Sequence, residues 1–465
     1  MLISPILHAR RRFWYLAAVV DRRDSRAQPS ALACETIQGV TLTMTRFALG
    51  VLLASAGLLT PRWSAATEAD SGAGMPPPST LHPFRTIAED GSNLELGFAG
   101  QLRATMTNSG EHLDDDDRET EEVVELRRVR LLMRGGFFED RLRFGLQLSL
   151  APASPELMDL WADFRFTAPI RLRMGQFKIP LTRYRWQSFS HLLFADWPIA
   201  ANQFGSERQL GLMLHNGQKD NTPWSYALGV FTGQNARASF AKGIADAYGE
   251  RLESPSNFRT PGEPTSIHPE VVTRISHNSP DIDATSNSDE KGGGLRHLAG
   301  VSAAWDLDAT QAKEFSERLA AEVLLKYEGV SLSLVGYAGM FRPEGKLNEL
   351  GSVGATGELA WRFLPSLEVA GRYSRVDFTT HLRQSARDRA DSIIAEADPA
   401  EQEDLTRQYA AAGAVESSQE VALALSWYLV GHSLKWQNDV AYLRCDSDSR
   451  PAEDIRFRSQ VQVVF

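Results

Sequence analysis

The chain has 465 residues, a formal net charge of −10, 43% hydrophobic residues and two cysteines. The acidic balance argues against a nucleic-acid binder, and Cys34 with Cys445 is too little sulfur for a disulfide framework. No apolar run reaches the roughly 18 residues of a membrane-spanning helix; what remains is a soluble protein or a barrel whose apolar residues are diluted by alternation.

The first informative segment starts at Met44. Arg46, the apolar stretch from Phe47 to Leu59, and the small residues Ser64-Ala65-Ala66 make the three-part pattern of a secretory signal peptide over 44–66. Residues 1–43 make little sense ahead of such a signal and are expected to be an upstream extension from a misplaced start. Removing 1–66 leaves Cys445 alone, which suits passage through an oxidising periplasm. Residues 67–92, polar and rich in proline, are expected to form a flexible periplasmic leader.

From residue 93 onward, period-2 patterns recur to the end. Leu142, Phe144, Leu146, Leu148 and Leu150 alternate with Arg143, Gln147 and Ser149; Leu319, Ala321, Val323, Leu325 and Tyr327 alternate with Glu322 and Lys326. Val421, Leu423, Leu425, Trp427 and Leu429 oppose Ala422, Ala424, Ser426 and Tyr428. Such alternation predicts strands with one apolar face. Strands are expected near 94–106, 125–136, 141–150, 157–166, 169–178, 208–216, 223–232, 270–277, 298–306, 318–327, 330–340, 352–363, 367–376, 417–429, 432–444 and 454–465. That is about sixteen, an even number, as a closed bacterial barrel requires.

Alternation alone fits a soluble sandwich as well as a membrane barrel. Three features favour the membrane. Many strands are long enough to cross a bilayer at a steep tilt. Trp305, Tyr327, Trp361, Tyr373, Trp427, Trp436 and Tyr442 fall toward strand ends, where interfacial girdles lie. With both ends periplasmic, tight turns such as Glu328–Gly329 fall on one side and the long segments 107–124, 179–207, 233–269 and 377–416 on the other. The exception is 278–297, an overlong periplasmic turn next to the weakest strand, 270–277. The chain ends RFRSQVQVVF, with Phe457, Val461, Val463 and Phe465 on one face. A terminal aromatic strand resembles the signal read by the outer-membrane barrel-assembly machinery. The fold class expected is all-β: a transmembrane antiparallel barrel over 93–465.

From Glu156 to Pro180 the chain reads ELMDLWADFRFTAPIRLRMGQFKIP, with further echoes at Leu126–Phe138, Glu207–Gly217, Tyr226–Gly233, Leu367–Asp377 and Ala424–Leu443. Together these resemble the phosphate-selective porin O and P family. The resemblance implies a homotrimeric sixteen-stranded pore of the Gram-negative outer membrane, passing small solutes, and a third external loop folded inward. Here that loop is 179–207, with Arg183, Arg185, His191 and Asp196. Its apolar residues Leu192, Leu193, Phe194 and Trp197 suit packing inside the barrel or at a subunit contact.

Strand parity gives the inward side chains. Arginines dominate: Arg103, Arg128, Arg130, Arg134, Arg143, Arg165, Arg171, Arg173, Arg274, Arg362, Arg372, Arg456 and Arg458, against Glu95, Asp159, Asp163, Glu322, Glu358, Glu368, Glu420 and Asp439. A row of guanidinium groups lowers the cost of moving an anion into a narrow aqueous pore by replacing part of its hydration shell. The candidate pore-lining, anion-binding residues are therefore Arg128, Arg130, Arg134, Arg143, Arg165, Arg171, Arg173, Lys178, Arg183, Arg185 and Arg372, and the expected solutes are small anions such as phosphate. The alternative is that the arginines pair with lumen acids and stiffen the wall of a non-selective diffusion pore. Lys178 has lipid-facing parity unless a bulge turns it inward.

No metal or other cofactor is expected. The histidines lack metal-ligand spacing, and Asp114–Asp117 lacks the pattern of a Ca²⁺ loop and reads as an external acidic loop facing solvent or lipopolysaccharide. A barrel hydrolase is the rival from another class. No serine lies in a nucleophile-elbow pattern, although Ser188 and Ser190 neighbour His191. Residues 382–412 read as an external loop helix.

Overall fold

The computed structural model describes residues 84–151, 155–205, 208–217, 222–232, 269–307, 317–341, 349–410, 412–448 and 451–465. The expectations for 1–43 and 44–66, and for most of the leader and of 233–269, lie outside the described residues. Within the leader, Phe84–Ile87 forms a short strand, β1, paired with Asn93–Leu96.

The strands follow as β2 (Asn93–Gly110), β3 (Glu119–Phe137), β4 (Leu142–Ser149), β5 (Glu156–Thr167), β6 (Ile170–Lys178), β7 (Arg208–His215), β8 (Trp224–Phe231), β9 (Glu270–Asn278) and β10 (Arg296–Asp306). They continue as β11 (Glu317–Tyr327), β12 (Val330–Phe341), β13 (Glu349–Leu364), β14 (Leu367–Phe378), β15 (Val415–Val430), β16 (Leu434–Ser447) and β17 (Ala452–Val464). Each of β2 to β16 pairs antiparallel with the next, and β17 returns to β2 with Arg458 opposite Thr105. The seam continues past β17: Phe465 N donates to Phe98 O at 3.0 Å and Phe98 N to Phe465 O at 2.7 Å. The sixteen strands β2–β17 are a closed barrel, and the strand expected at 270–277 is β9. Closure satisfies every edge, the condition for a sheet in hydrocarbon.

Burial is inverted relative to a soluble protein. Along β11, Arg318, Glu322 and Lys326 are 5%, 5% and 1% exposed, whereas Leu319, Val323 and Tyr327 are 44%, 37% and 55% exposed. The same alternation puts Val421, Leu423, Leu425 and Trp427 of β15 outside and Glu420, Ala422, Ala424 and Ser426 inside. A continuous apolar belt of this kind belongs against lipid.

One end of the barrel carries the tight turns and the C-terminus. Glu328 (φ 48°) and Gly329 (φ 82°) are both left-handed there, as a two-residue hairpin turn matching strand twist requires. Outer-membrane barrels place such turns in the periplasm. The opposite end carries the long connections. In one of these, α3 (Thr380–Glu396) is capped by Thr379, whose hydroxyl accepts from Leu382 N at 3.3 Å, and α4 (Gln402–Gln408) follows. Ala397 and Pro399 separate them, so the single helix expected over 382–412 is two. Two further short helices, α1 (Arg183–Trp186) and α2 (Ile199–Phe204), lie between β6 and β7.

Replacing the outward Leu423 by Arg is expected to destabilise the barrel by about 2–4 kcal/mol if the site is near the bilayer midplane. Guanidinium unfolding in lipid vesicles measures this, and an unchanged midpoint would place that face away from hydrocarbon.

Candidate pore and its charged lining

Segment 179–204 is long, rich in apolar residues and outside any sheet. Tyr184, Leu192, Phe194 and Phe204 are fully buried. Leu193 and Phe194 pack with Ala360, Ala370, Ala422, Ala424 and Ala441, small residues on the inner face of β13 to β16. The segment's backbone groups still need partners, and side chains of the barrel wall supply them. Glu322 accepts from Arg183 N (3.1 Å), Asp439 from Ala195 N (2.9 Å), Glu420 from Ile199 N (3.3 Å) and Ser374 from Ala200 N (3.1 Å). Lys435 and Gln437 donate to Leu192 O at 2.9 and 3.0 Å, and Gln462 to Ser190 O at 3.2 Å.

The same wall carboxylates bind arginines. Arg274 pairs with Glu322, Arg458 with Asp439 (2.7 Å), and Arg372 with Glu358 (2.8 Å) and Glu420 (3.3 Å). Arg318 pairs with Glu270. On this side of the ring, from β9 to β17, these arginines are matched by carboxylates.

On β2 and β3 the pattern changes. Asp196 of segment 179–204 receives Arg103 (3.0 Å), Arg127 (2.9 Å) and Arg128 (3.2 Å), while its carbonyl accepts from Arg372 at 2.9 Å. Arg127 and Arg128 both point inward because the register passes from Gln101↔Arg128 to Leu102↔Leu126, leaving Arg127 as a bulge residue. Arg130 lies over the Phe189 ring at 4.5 Å. Further round, Arg208 holds Asp159 at 2.7 and 3.0 Å, Arg173 holds Asp163 at 2.7 Å, and His215 lies 3.0 Å from the same carboxylate. Arg171 is buried on this face too.

Lys178, expected outward by parity, donates to Gln187 O at 2.9 Å. It is the last residue of β6, where the chain leaves the sheet and parity no longer fixes direction. Arg183 bonds Gln187 Oε1 (3.0 Å) and Ser333 Oγ (2.9 Å), and Arg185 reaches Asn202 Oδ1 (3.3 Å) and the Trp197 ring (5.4 Å). Thus Arg128, Arg130, Arg171, Arg173, Lys178, Arg183, Arg185 and Arg372 face one charged interior. Arg134, Arg143 and Arg165 do not join it. Arg134 is exposed, Arg143 pairs with Asp140 of the β3–β4 turn (3.0 Å), and Arg165 donates to Glu139 O (2.8 Å). Parity assigned them a face but not a partner: Arg165 stands opposite Arg171 and Arg143 opposite Asp163, yet both side chains turn to the β3–β4 turn. Arg127 and Arg208 were missed by parity. Two adjacent arginines in an apolar strand are a usable signal for the first, since one of them would otherwise face lipid at a cost of about 2–4 kcal/mol at midplane.

Ser188 and Ser190 hydrogen-bond each other at 2.7 Å while His191 Nδ1 lies 3.1 Å from Thr285 O. The serines and the histidine therefore make no nucleophile–base pair. Burial, followed by the neighbouring His432, pulls the His191 imidazole down to about 4, so at neutral pH it is uncharged and Nδ1–H donates to Thr285 O. Among the described residues, no group of three or more His, Cys, Asp or Glu is placed to hold a metal ion.

The model of the family described as phosphate-selective porin O and P matches residues 101–281. Among solved structures, the outer membrane channel DcaP of Acinetobacter baumannii is similar at a TM-score of 0.51 and 11% identity, covering 83% of this chain and 100% of that one. Salmonella typhi OmpF, solved with daunomycin, is similar at a TM-score of 0.50 and 12% identity, covering 82% of this chain and 99% of that one. These likenesses concern the fold. No curated protein matches the sequence. The match to the phosphate-selective porin O and P family over 101–281, together with a closed sixteen-stranded barrel around a charged interior, points to an outer-membrane channel rather than an enzyme.

Proposed function

We propose that this porin passes small solutes passively and prefers anions, phosphate-like oxyanions among them. The observation that carries the reading is the uneven distribution of charge around the lumen. In the sector from β2 to β7, Arg103, Arg127, Arg128, Arg130, Arg171, Arg173, Arg208 and Lys178 outnumber the carboxylates Glu125, Asp159, Asp163 and Asp196. Excess guanidinium in a confined aqueous space offers an oxyanion charge-assisted hydrogen bonds in place of water. Several spaced cations favour passage over capture, because each holds the ion weakly enough to release it. Segment 179–207 is proposed as the constriction, since it carries Asp196 to this sector and Arg183 to β11 and β12 across the ring.

A non-selective diffusion pore is the second reading. It is favoured by the matched pairs Arg274–Glu322, Arg372–Glu358 and Arg458–Asp439, which stiffen the wall without leaving net charge. The signal peptide over 44–66, assembly as a homotrimer, contact with lipopolysaccharide, and reading of Phe465 by the barrel-assembly machinery are proposed from sequence pattern and family resemblance.

Reversal potentials across a KCl gradient separate the two readings. Anion preference is expected, and a cation-selective or neutral potential overturns it. Replacing Arg130 and Arg171 together by Gln is expected to lower the anion-to-cation permeability ratio several-fold and to weaken block by titrated phosphate. Asp196→Asn is expected to act oppositely on selectivity, raising the ratio by uncovering three guanidinium groups. The same change should destabilise the fold by about 3–5 kcal/mol, because it breaks buried pairs from one side; thermal unfolding in detergent reads this effect independently of current.

A further inference from the structure

The connection between β9 and β10, residues 279–295, stands at the end where neighbouring turns such as Glu328–Gly329 need two residues. A solvated turn of this length would expose its polar side chains. Instead Ser286, Asn287, Ser288 and Asp289 are at most 1% exposed.

Its contacts reach far from its roots. Lys326 of β11 donates to Asp283 O at 2.9 Å, and Gly329 N to Asp289 at 2.9 Å. Asn287 Nδ2 donates to Glu358 of β13 and Ser288 Oγ to Glu368 of β14, both at 2.6 Å. Ser286 Oγ lies 3.3 Å and Glu290 2.6 Å from His432 Nε2 in the β15–β16 turn. The stretch therefore spans the ring from β9 to β16. It also meets segment 179–204 directly: Arg183 donates to Asn287 Oδ1, His191 faces Thr285 O, and the His191 and His432 rings are 4.4 Å apart. Between the two lies a cavity of about 50 Å³, lined by Arg183, Gln187, Arg274 and Thr285 among others. That is room for one or two waters.

We propose that 279–295 is a plug inserted from the turn end, clamped against segment 179–204, and that it limits current through the channel as a second constriction in series. Its construction suits displacement. Ile282 and Ala284 pack with Leu298 and Leu324, Asp289 is anchored to Arg296 at the start of β10, and the contacts to β13 and β14 are made by the short polar side chains Asn287 and Ser288, whose hydrogen bonds water can replace. Its return limb is Gly292-Gly293-Gly294, with Gly292 and Gly293 left-handed and open space around all three.

The proposal rests on the channel reading and is tested on the full chain in planar bilayers. One variant replaces 279–295 by Asn-Gly, the other keeps the length and carries Asn287→Gly, Ser288→Gly and Glu290→Gln. Folding is checked by the heat-modifiable band on gels. Unitary conductance at least twice that of the parent is expected from the deletion, with a smaller rise from the triple variant. Parent-like steps from a folded deletion overturn the plug, and if the deletion fails to fold, parent-like steps from the triple variant do so. Absence of any step from parent and variants alike would instead overturn the channel reading.

Discussion

Glu322, Glu420 and Asp439 each pair with an arginine and also accept a backbone amide of segment 179–204. The rest of the interior depends on this double use. A chain segment within a barrel has no sheet ladder to satisfy its N–H groups, and a carboxylate on the wall is costly to bury without a counter-charge. One arrangement meets both demands. The acids of β11, β15 and β16 act as brackets for the segment, and Arg274, Arg372 and Arg458 neutralise the brackets. The segment in turn delivers Asp196 to β2 and β3, the strands that follow β17 around the ring.

That division of labour explains why an acidic protein has a positive sector in its lumen. Much of its negative charge lies on external connections, such as the exposed run from Asp114 to Asp117, or is tied up in brackets. Buried ion pairs of this kind add little net stability over apolar packing, yet removing one partner is expensive. Their effect is therefore positional. They fix where the segment lies, and with it the position of Asp196 against Arg103, Arg127 and Arg128.

Much of the barrel was legible because alternation is a local property. Each strand repeats it, and the sixteen expected segments all formed, including β9. The candidate site was legible in part. Parity found Arg128, Arg130, Arg171, Arg173 and Arg372, since face follows directly from a period of two. The direction a long side chain takes from its face does not follow from parity: Arg143 and Arg165, level with Asp163 and Arg171, turn away to Asp140 and Glu139 of the β3–β4 turn. Bulges and strand ends defeat parity outright, as Arg127 and Lys178 show. The length of 279–295 was noticeable in the sequence, but its destination was not. A stretch reading PDIDATSNSDEKGGGL suits bulk water and a polar lumen equally well.

The central claim is that one face of these strands meets hydrocarbon while the other meets water. Single cysteines at Leu423, Leu425, Ala422 and Ser426, in a Cys445→Ser background and labelled with an environment-sensitive fluorophore, test it by quenching with brominated lipids. Strong quenching at 423 and 425 with little at 422 and 426 is the result this account requires. Equal quenching on both faces, or strong quenching at 422 and 426 alone, would contradict it.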